Sequence, residues 1–194
     1  YKRQEKKLLS SISKNIITNK NTTLILGLLR TDKNKIFNTL VFLNFKGDII
    51  YNYDKIKLVP FGEYIPFREY LGAFTDILAQ RDFTNGKLKS DPTINGFGKI
   101  TTLICYEILF KNQIVSRVSK NTNLLINITN DAWFGETIGP HQHLALAKIK
   151  AVEYGFSLAR VANTGISAYV SPYGEIIGKI NLDDEGVKLS LIHI

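Results

Sequence analysis

Methionine is absent from all 194 residues, cysteine and tryptophan occur once each, and histidine three times. A single cysteine, Cys105, rules out an internal disulfide and with it the disulfide-stapled class of small folds. No apolar run approaches the ~18 residues of a membrane-spanning helix. No signal-peptide pattern is present. No internal repeat or low-complexity tract interrupts the chain. The missing methionine extends to position 1, where Tyr1-Lys2-Arg3 already reads as the start of a helix. The sequence is therefore expected to be a fragment, with residues upstream.

What is present is an ordinary globular composition. Hydrophobic residues make up 44% and charged residues 22%, enough for one sizeable domain with a core and incompatible with a disordered chain. The net charge of +8 raises nucleic acid or an anionic surface as partners. The basic residues are spread along the chain, apart from a small cluster at residues 2–7, and no nucleic-acid motif or aromatic-interleaved basic stripe accompanies them. A solvated basic surface is the simpler reading.

Apolar spacing predicts an amphipathic helix over 2–18 and a buried strand over 23–29. Strands over 38–45 and 48–53 are joined by a turn at Lys46-Gly47-Asp48. A shaped loop over 59–67 carries two prolines, and a helix follows over 68–79. A polar stretch over 81–98 leads to a strand over 99–105, a helix over 109–119 with Ile114, Val115 and Val118 inward, and a strand over 124–128. A loop then precedes a helix over 141–158 and strands over 160–163, 166–171, 175–180 and 187–193. Consecutive strands among alternating ones imply mixed sheets with helices outside. Two such sheets face to face, covered by helices, give an α/β fold of four layers, an α-β-β-α sandwich.

Chemistry points first to Cys105. A lone cysteine is more often an inert core thiol. This one ends the run Ile100-Thr101-Thr102-Leu103-Ile104 and precedes a helix, the kind of junction that presents a nucleophile. The Tyr106 N–H would face an oxyanion formed there, and a helix N-terminus and a lysine would both favour thiolate. Lys55 follows a strand and precedes the proline loop, a rigid mount for a cation. It is preferred to Lys57, which is expected to face the other way. Glu63, in Val-Pro-Phe-Gly-Glu-Tyr, is either a turn carboxylate or one that orients the lysine or a nucleophile. A thiol, a lysine and a carboxylate suggest covalent acyl chemistry without a histidine base. His141-Gln142-His143 is set aside as a metal site, since the two rings should diverge at a helix start. Asn127-Ile128-Thr129 matches a glycosylation acceptor by chance at the end of a buried strand. The Asn130-Asp131-Ala132-Trp133-Phe134-Gly135 loop is either a packed turn or the wall of a pocket.

Five blocks then resemble the bacterial apolipoprotein N-acyltransferase family. They are Tyr53-Asp54-Lys55-Ile56-Lys57-Leu58-Val59-Pro60-Phe61-Gly62-Glu63, Leu103-Ile104-Cys105-Tyr106-Glu107, Asn130 to Gly135, Gly139-Pro140-His141-Gln142-His143 and Asn163-Thr164-Gly165-Ile166-Ser167-Ala168. The enclosing group is the nitrilase, or carbon–nitrogen hydrolase, superfamily, with the same α-β-β-α fold. The resemblance implies a Glu-Lys-Cys triad. Cys105 matches the nucleophile and Lys55 the catalytic lysine, with Glu63, Tyr106 and Glu107 supporting the site. It implies a phospholipid acyl donor, an apolipoprotein acceptor, no metal or organic cofactor, and an inner-membrane enzyme whose catalytic domain faces the periplasm. Two other readings stay open: a soluble nitrilase-type amidase, and a non-catalytic remnant of a split gene.

The family's general-base glutamate lies in a Trp-Pro-Glu motif upstream of the lysine, and no such motif occurs here. Glu5 has the wrong neighbours, so the base and the flanking membrane helices would lie outside these residues. The 194-residue chain alone is thus expected to transfer acyl groups at least ~10²-fold more slowly than the full-length protein. Single-turnover assays of the two side by side check this, and equal rates would overturn it.

Overall fold

Hairpin patterning accounts for the first half of the chain. In the computed structural model, which describes residues 9–12, 15–16, 19–71, 82–94 and 97–189, two compact units divide between Leu88 and Lys89. In the first unit β1 (Leu24–Asp32), β2 (Lys35–Leu43) and β3 (Ile49–Asp54) form an antiparallel sheet in that order. A two-residue turn joins β1 to β2, with Lys33 at φ 53°, the left-handed geometry that matches strand twist in tight hairpins. Between β2 and β3 the Asn44 side chain accepts the N–H groups of Lys46 and Asp48, both at 2.9 Å. Gly47 has φ 81° there, and a Cβ would stand 2.6 Å from the Ser10 backbone, so the turn admits only glycine.

The central strand β2 carries the burial, and Leu40, Val41, Phe42 and Leu43 are all inaccessible. The strand expected over 23–29 exists but is not buried: β1 is half-exposed along its length, with Leu29 63% exposed. An apolar run identifies a strand, whereas its place in the sheet decides its burial, and β1 ends the strand order. The helix expected over 68–79 is described only as α1 (Arg68–Leu71), the rest falling outside the described residues. Of the helix expected over 2–18, residues 9–12 and 15–16 are helical and the others lie outside.

The second unit holds a six-stranded mixed sheet, β4 (Thr93–Ile94), β5 (Gly98–Ile104), β6 (Thr122–Asn130), β7 (Ser157–Asn163), β8 (Ser167–Val170) and β9 (Ile176–Ile180). The central β5, β6 and β7 are parallel, while β4, β8 and β9 add antiparallel. Parallel strands require crossovers. These are a 3-10 turn (Cys105–Leu109) with α2 (Lys111–Val115), and then α3 (Gly139–Tyr154). β5 is buried on both faces from Ile100 to Ile104, hence its unbroken Ile-Thr-Thr-Leu-Ile. Pro140, His143, Leu144, Ala147 and Ala151 form the buried stripe of α3, of which Leu144, Ala147 and Ala151 share a core cluster with Leu103, Leu125 and Leu158.

Three expectations are corrected here. The helix expected over 109–119 is shorter, Val115 is 50% exposed, and Arg117 is the residue that turns inward. α3 ends at Tyr154 because Gly155 takes a left-handed cap at φ 70°, which frees Ser157 to begin β7. Residues 187–189 are exposed and irregular, so the part of the last expected strand that is described is not a strand.

Arg117 braces β5. Its guanidinium pairs with Asp91 and donates to the Thr102 carbonyl and to the Thr102 hydroxyl at 2.9 Å, while Thr101 donates to Asp91 at 2.8 Å. Both charges are buried, so removing Asp91 takes a close anionic partner from a buried guanidinium. Asp91→Ala is expected to lower unfolding free energy by about 3–5 kcal/mol in urea titrations. A loss below about 1 kcal/mol would mean that the pair behaves as an exposed one.

Candidate active site

Each unit holds one constellation. In the second, Cys105 stands where β5 gives way to the 3-10 turn, half-buried, with φ 52°. A non-glycine residue rarely adopts this conformation, and it persists only where the surroundings enforce it. The enforcement is visible on both sides of the thiol. The Glu107 carboxylate, wholly buried, reaches back and accepts the Ile104 N–H at 2.9 Å. The Asn127 amide, buried on β6, donates to the Leu103 carbonyl at 3.3 Å and to the Cys105 carbonyl at 3.1 Å.

Behind Asn127 lies a charged network. Arg160 on β7, 2% exposed, donates to the Asn127 side-chain oxygen at 2.6 Å, to Asp131 at 2.7 Å and to the Ile166 carbonyl at 3.3 Å. Asp131 also accepts from the Thr129 hydroxyl at 3.1 Å and lies 3.0 Å from His143 Nδ1. The His143 ring stacks on Tyr106, centroids 4.9 Å apart, and Phe134 closes on both rings. Gly165 abuts the Asp131 carboxylate so closely that a Cβ would stand 2.4 Å from its oxygen.

The electrostatics follow the burial. Burial raises the Asp131 carboxyl, but the His143 hydrogen bond and the Arg160 charge outweigh it and hold the group below its ordinary value. Burial lowers the Arg160 guanidinium against the pull of Asp131. The Tyr106 phenol is raised by burial, then by the charges of Cys105 and Asp131.

In the first unit Lys55 directly follows β3 and is 1% exposed. Its backbone is fixed by a bond to the Asn38 carbonyl and by one from the Gly86 N–H, both 2.8 Å. The ammonium donates to Glu63 at 2.7 Å. Glu63 is itself held by the Val59 N–H at 2.8 Å and the Asn38 amide at 3.3 Å. Lys57 is exposed. The reason is not strand alternation, because residues two apart share a strand face; the strand has ended and the chain bends at Ile56-Lys57.

The structure thus pairs Lys55 with Glu63, and sets Cys105, Tyr106 and Glu107 on one junction. His141 is exposed while His143 is buried, as their separation on a helix requires. Among the described residues no three His, Cys, Asp or Glu side chains converge on a metal position. Sequence reasoning missed the network of Asn127, Asp131, His143 and Arg160. One signal was available: Arg160 shares the inward face of β7 with the buried Leu158, and a charge in that phase demands a partner.

The family profile of the carbon-nitrogen hydrolases matches residues 9–193. This chain belongs to that family. Among solved structures, the carbon-nitrogen hydrolase from Helicobacter pylori G27 superposes with a TM-score of 0.69 at 19% identity, over 95% of this chain and 65% of that one. An amidase from Nesterenkonia sp. gives 0.66 at 19% identity, over 94% and 64%. These likenesses show the fold, the nitrilase-like α/β class that the resemblance of the five blocks implies. Curated relatives include proteins named apolipoprotein N-acyltransferase. That of Rhizobium rhizogenes (strain K84 / ATCC BAA-868) is 39% identical over 78% of this chain, and that of Allorhizobium ampelinum 40% over 79%. This chain spans 29% and 30% of those two relatives' lengths.

A lowered carboxyl stabilises the fold at pH values above its unfolded pKa of about 3.8, and that contribution is lost as pH falls through the folded value. Asp131→Asn is therefore expected to be less stable than the parent at pH 6 and to show a shallower decline below pH ~4. Urea midpoints across that range check it, and parallel declines would contradict it.

Proposed function

We propose that this chain is the acyl-transferring part of an apolipoprotein N-acyltransferase. The observation that carries the reading is the Cys105 junction, a half-buried thiol at φ 52° with its flanking peptides held by Glu107 and Asn127. Such a junction is a mount for a nucleophile. The name shared by the curated relatives supports acyl transfer to an apolipoprotein amine as the overall reaction.

In this reading the Cys105 thiolate attacks the carbonyl carbon of a phospholipid acyl ester. A C–S bond forms, and the carbonyl electrons move to oxygen. The oxyanion is held by the Lys55 ammonium and the Tyr106 N–H. Collapse breaks the ester C–O bond, and the departing lysophospholipid oxygen takes the proton that the Cys105 thiol had given to the general-base glutamate implied by the resemblance. The free α-amine of a lipid-modified N-terminal cysteine then attacks the thioester; the C–S bond breaks, the nitrogen gives its proton to the same general base, and an amide and the thiolate result. Glu63 serves by holding the lysine. Among the described residues it takes one of the ammonium's three donors, which leaves donors for an oxyanion. Glu107 serves by bracing the junction. No cofactor enters. The reaction takes place at the bacterial inner membrane, on its periplasmic side; no helix among the described residues is long and apolar enough to cross a membrane.

Incubating the full-length protein with phospholipid vesicles is expected to add one fatty acyl group to Cys105, seen by peptide mass spectrometry. A peptide with a diacylglyceryl N-terminal cysteine should discharge it. Cys105→Ala should abolish the adduct, and Lys55→Ala should slow its formation by ~10²-fold or more. An unmodified Cys105 under turnover, or undiminished acylation in Lys55→Ala, would sink the assignment.

A further inference from the structure

The proposed oxyanion donor, the Tyr106 N–H, belongs to the same peptide unit as the Cys105 carbonyl. No peptide in the described chain is cis. In a planar trans peptide the C=O and N–H point in opposite directions. Whatever holds the Cys105 carbonyl therefore aims the Tyr106 N–H. The holder is Asn127, whose amide nitrogen lies 3.1 Å from that oxygen and 3.3 Å from the Leu103 oxygen. Its orientation is fixed chemically. Arg160 carries donors only, so the Asn127 oxygen must face the guanidinium at 2.6 Å and the nitrogen must face the two carbonyls. Asp131 and the Ile166 carbonyl hold the guanidinium in turn.

We infer that Asn127 is the positioning residue of the oxyanion hole: clamped by Arg160, it grips the Cys105 carbonyl from behind and turns the Tyr106 N–H toward the place where the oxyanion forms. This rests on the acyl-transfer reading above. Asn127 acts through the peptide and has no assigned contact with substrate. Its loss should impair steps that build an oxyanion and spare reactions of the same sulfur that build none.

The test uses the full-length protein and two probes of Cys105. A p-nitrophenyl fatty ester acylates the thiol through a tetrahedral oxyanion and releases p-nitrophenolate. Iodoacetamide alkylates the same thiol by direct displacement of iodide, with no oxyanion. Asn127→Asp keeps the size and the oxygen for Arg160 but has no N–H to offer the carbonyls. It is expected to slow the nitrophenolate burst by about 10²-fold with KM little changed, while alkylation stays within about twofold of the parent. Asn127→Ser, which places no charge among the carbonyls, should give the same split. A burst within about threefold of the parent in both variants would overturn the proposal. So would equal losses of burst and alkylation, or loss of the folded state in both, which would leave Asn127 a structural role alone. Absence of a burst that depends on Cys105 in the parent, judged against Cys105→Ala, would instead overturn the acyl-transfer reading itself.

Discussion

The buried guanidinium of Arg160 constrains everything around it. An arginine cannot shed its charge, and a charge at 2% exposure is tolerable only with its donors matched. The matching groups come from different parts of the chain: Asn127 on β6, Asp131 in the turn that follows it, and the Ile166 carbonyl before β8, with His143 on α3 completing the Asp131 side. Each segment must be in register for the set to close. A buried ion pair is weak evidence for net stability, because an apolar substitute often does as well. What it supplies is geometry. Here the geometry reaches the one backbone residue in left-handed conformation that also bears a thiol.

That dependence explains a local oddity of the sequence. Asn127 sits within Leu-Leu-Ile-Asn-Ile, a run otherwise suited to a strand buried on both faces. An amide there would cost stability if its groups were unmatched. It is retained with its nitrogen on two carbonyls before it and its oxygen on a guanidinium behind. Gly165 follows the same logic. A side chain would displace the carboxylate on which Arg160 relies, so the turn between β7 and β8 is glycine for reasons of space and not of backbone freedom.

Much of this was legible in the sequence, though unevenly. The strands could be read because period-2 and unbroken apolar runs report burial directly. The strand-to-turn junction at Cys105 and the strand end at Lys55 were legible for the same reason, as places where such runs stop. Contacts across the sheet were not. Arg160 and Asn127 are 33 residues apart and meet only because β6 and β7 are parallel neighbours. Helix ends were misjudged where one residue decides them, as Gly155 does. The inward residue of the 109–119 segment was misjudged because a long charged side chain, Arg117, took the place that apolarity assigned to Val115. The exposure of β1 was invisible because apolar composition does not report which strand ends a sheet.

The two buried cations, Arg160 in one unit and Lys55 in the other, are handled in opposite ways, and the difference follows from their chemistry. Arg160 is planar, and its donors are distributed over fixed protein acceptors, which suits a part whose task is to stay in place. Lys55 is a point charge on a flexible stem, buried to 1% exposure with one carboxylate partner among the described residues. Glu63 cannot move freely, since the Val59 N–H and the Asn38 amide hold it. In the proposed mechanism the ammonium, fixed at one corner by Glu63, offers its remaining donors to the oxyanion. A lysine held in this way stabilises a charge that appears during a reaction better than one present before it, because its preorganisation was completed in folding. An arginine at position 55 would demand acceptors for a whole fork, and a saturated fork has nothing left to offer an oxyanion.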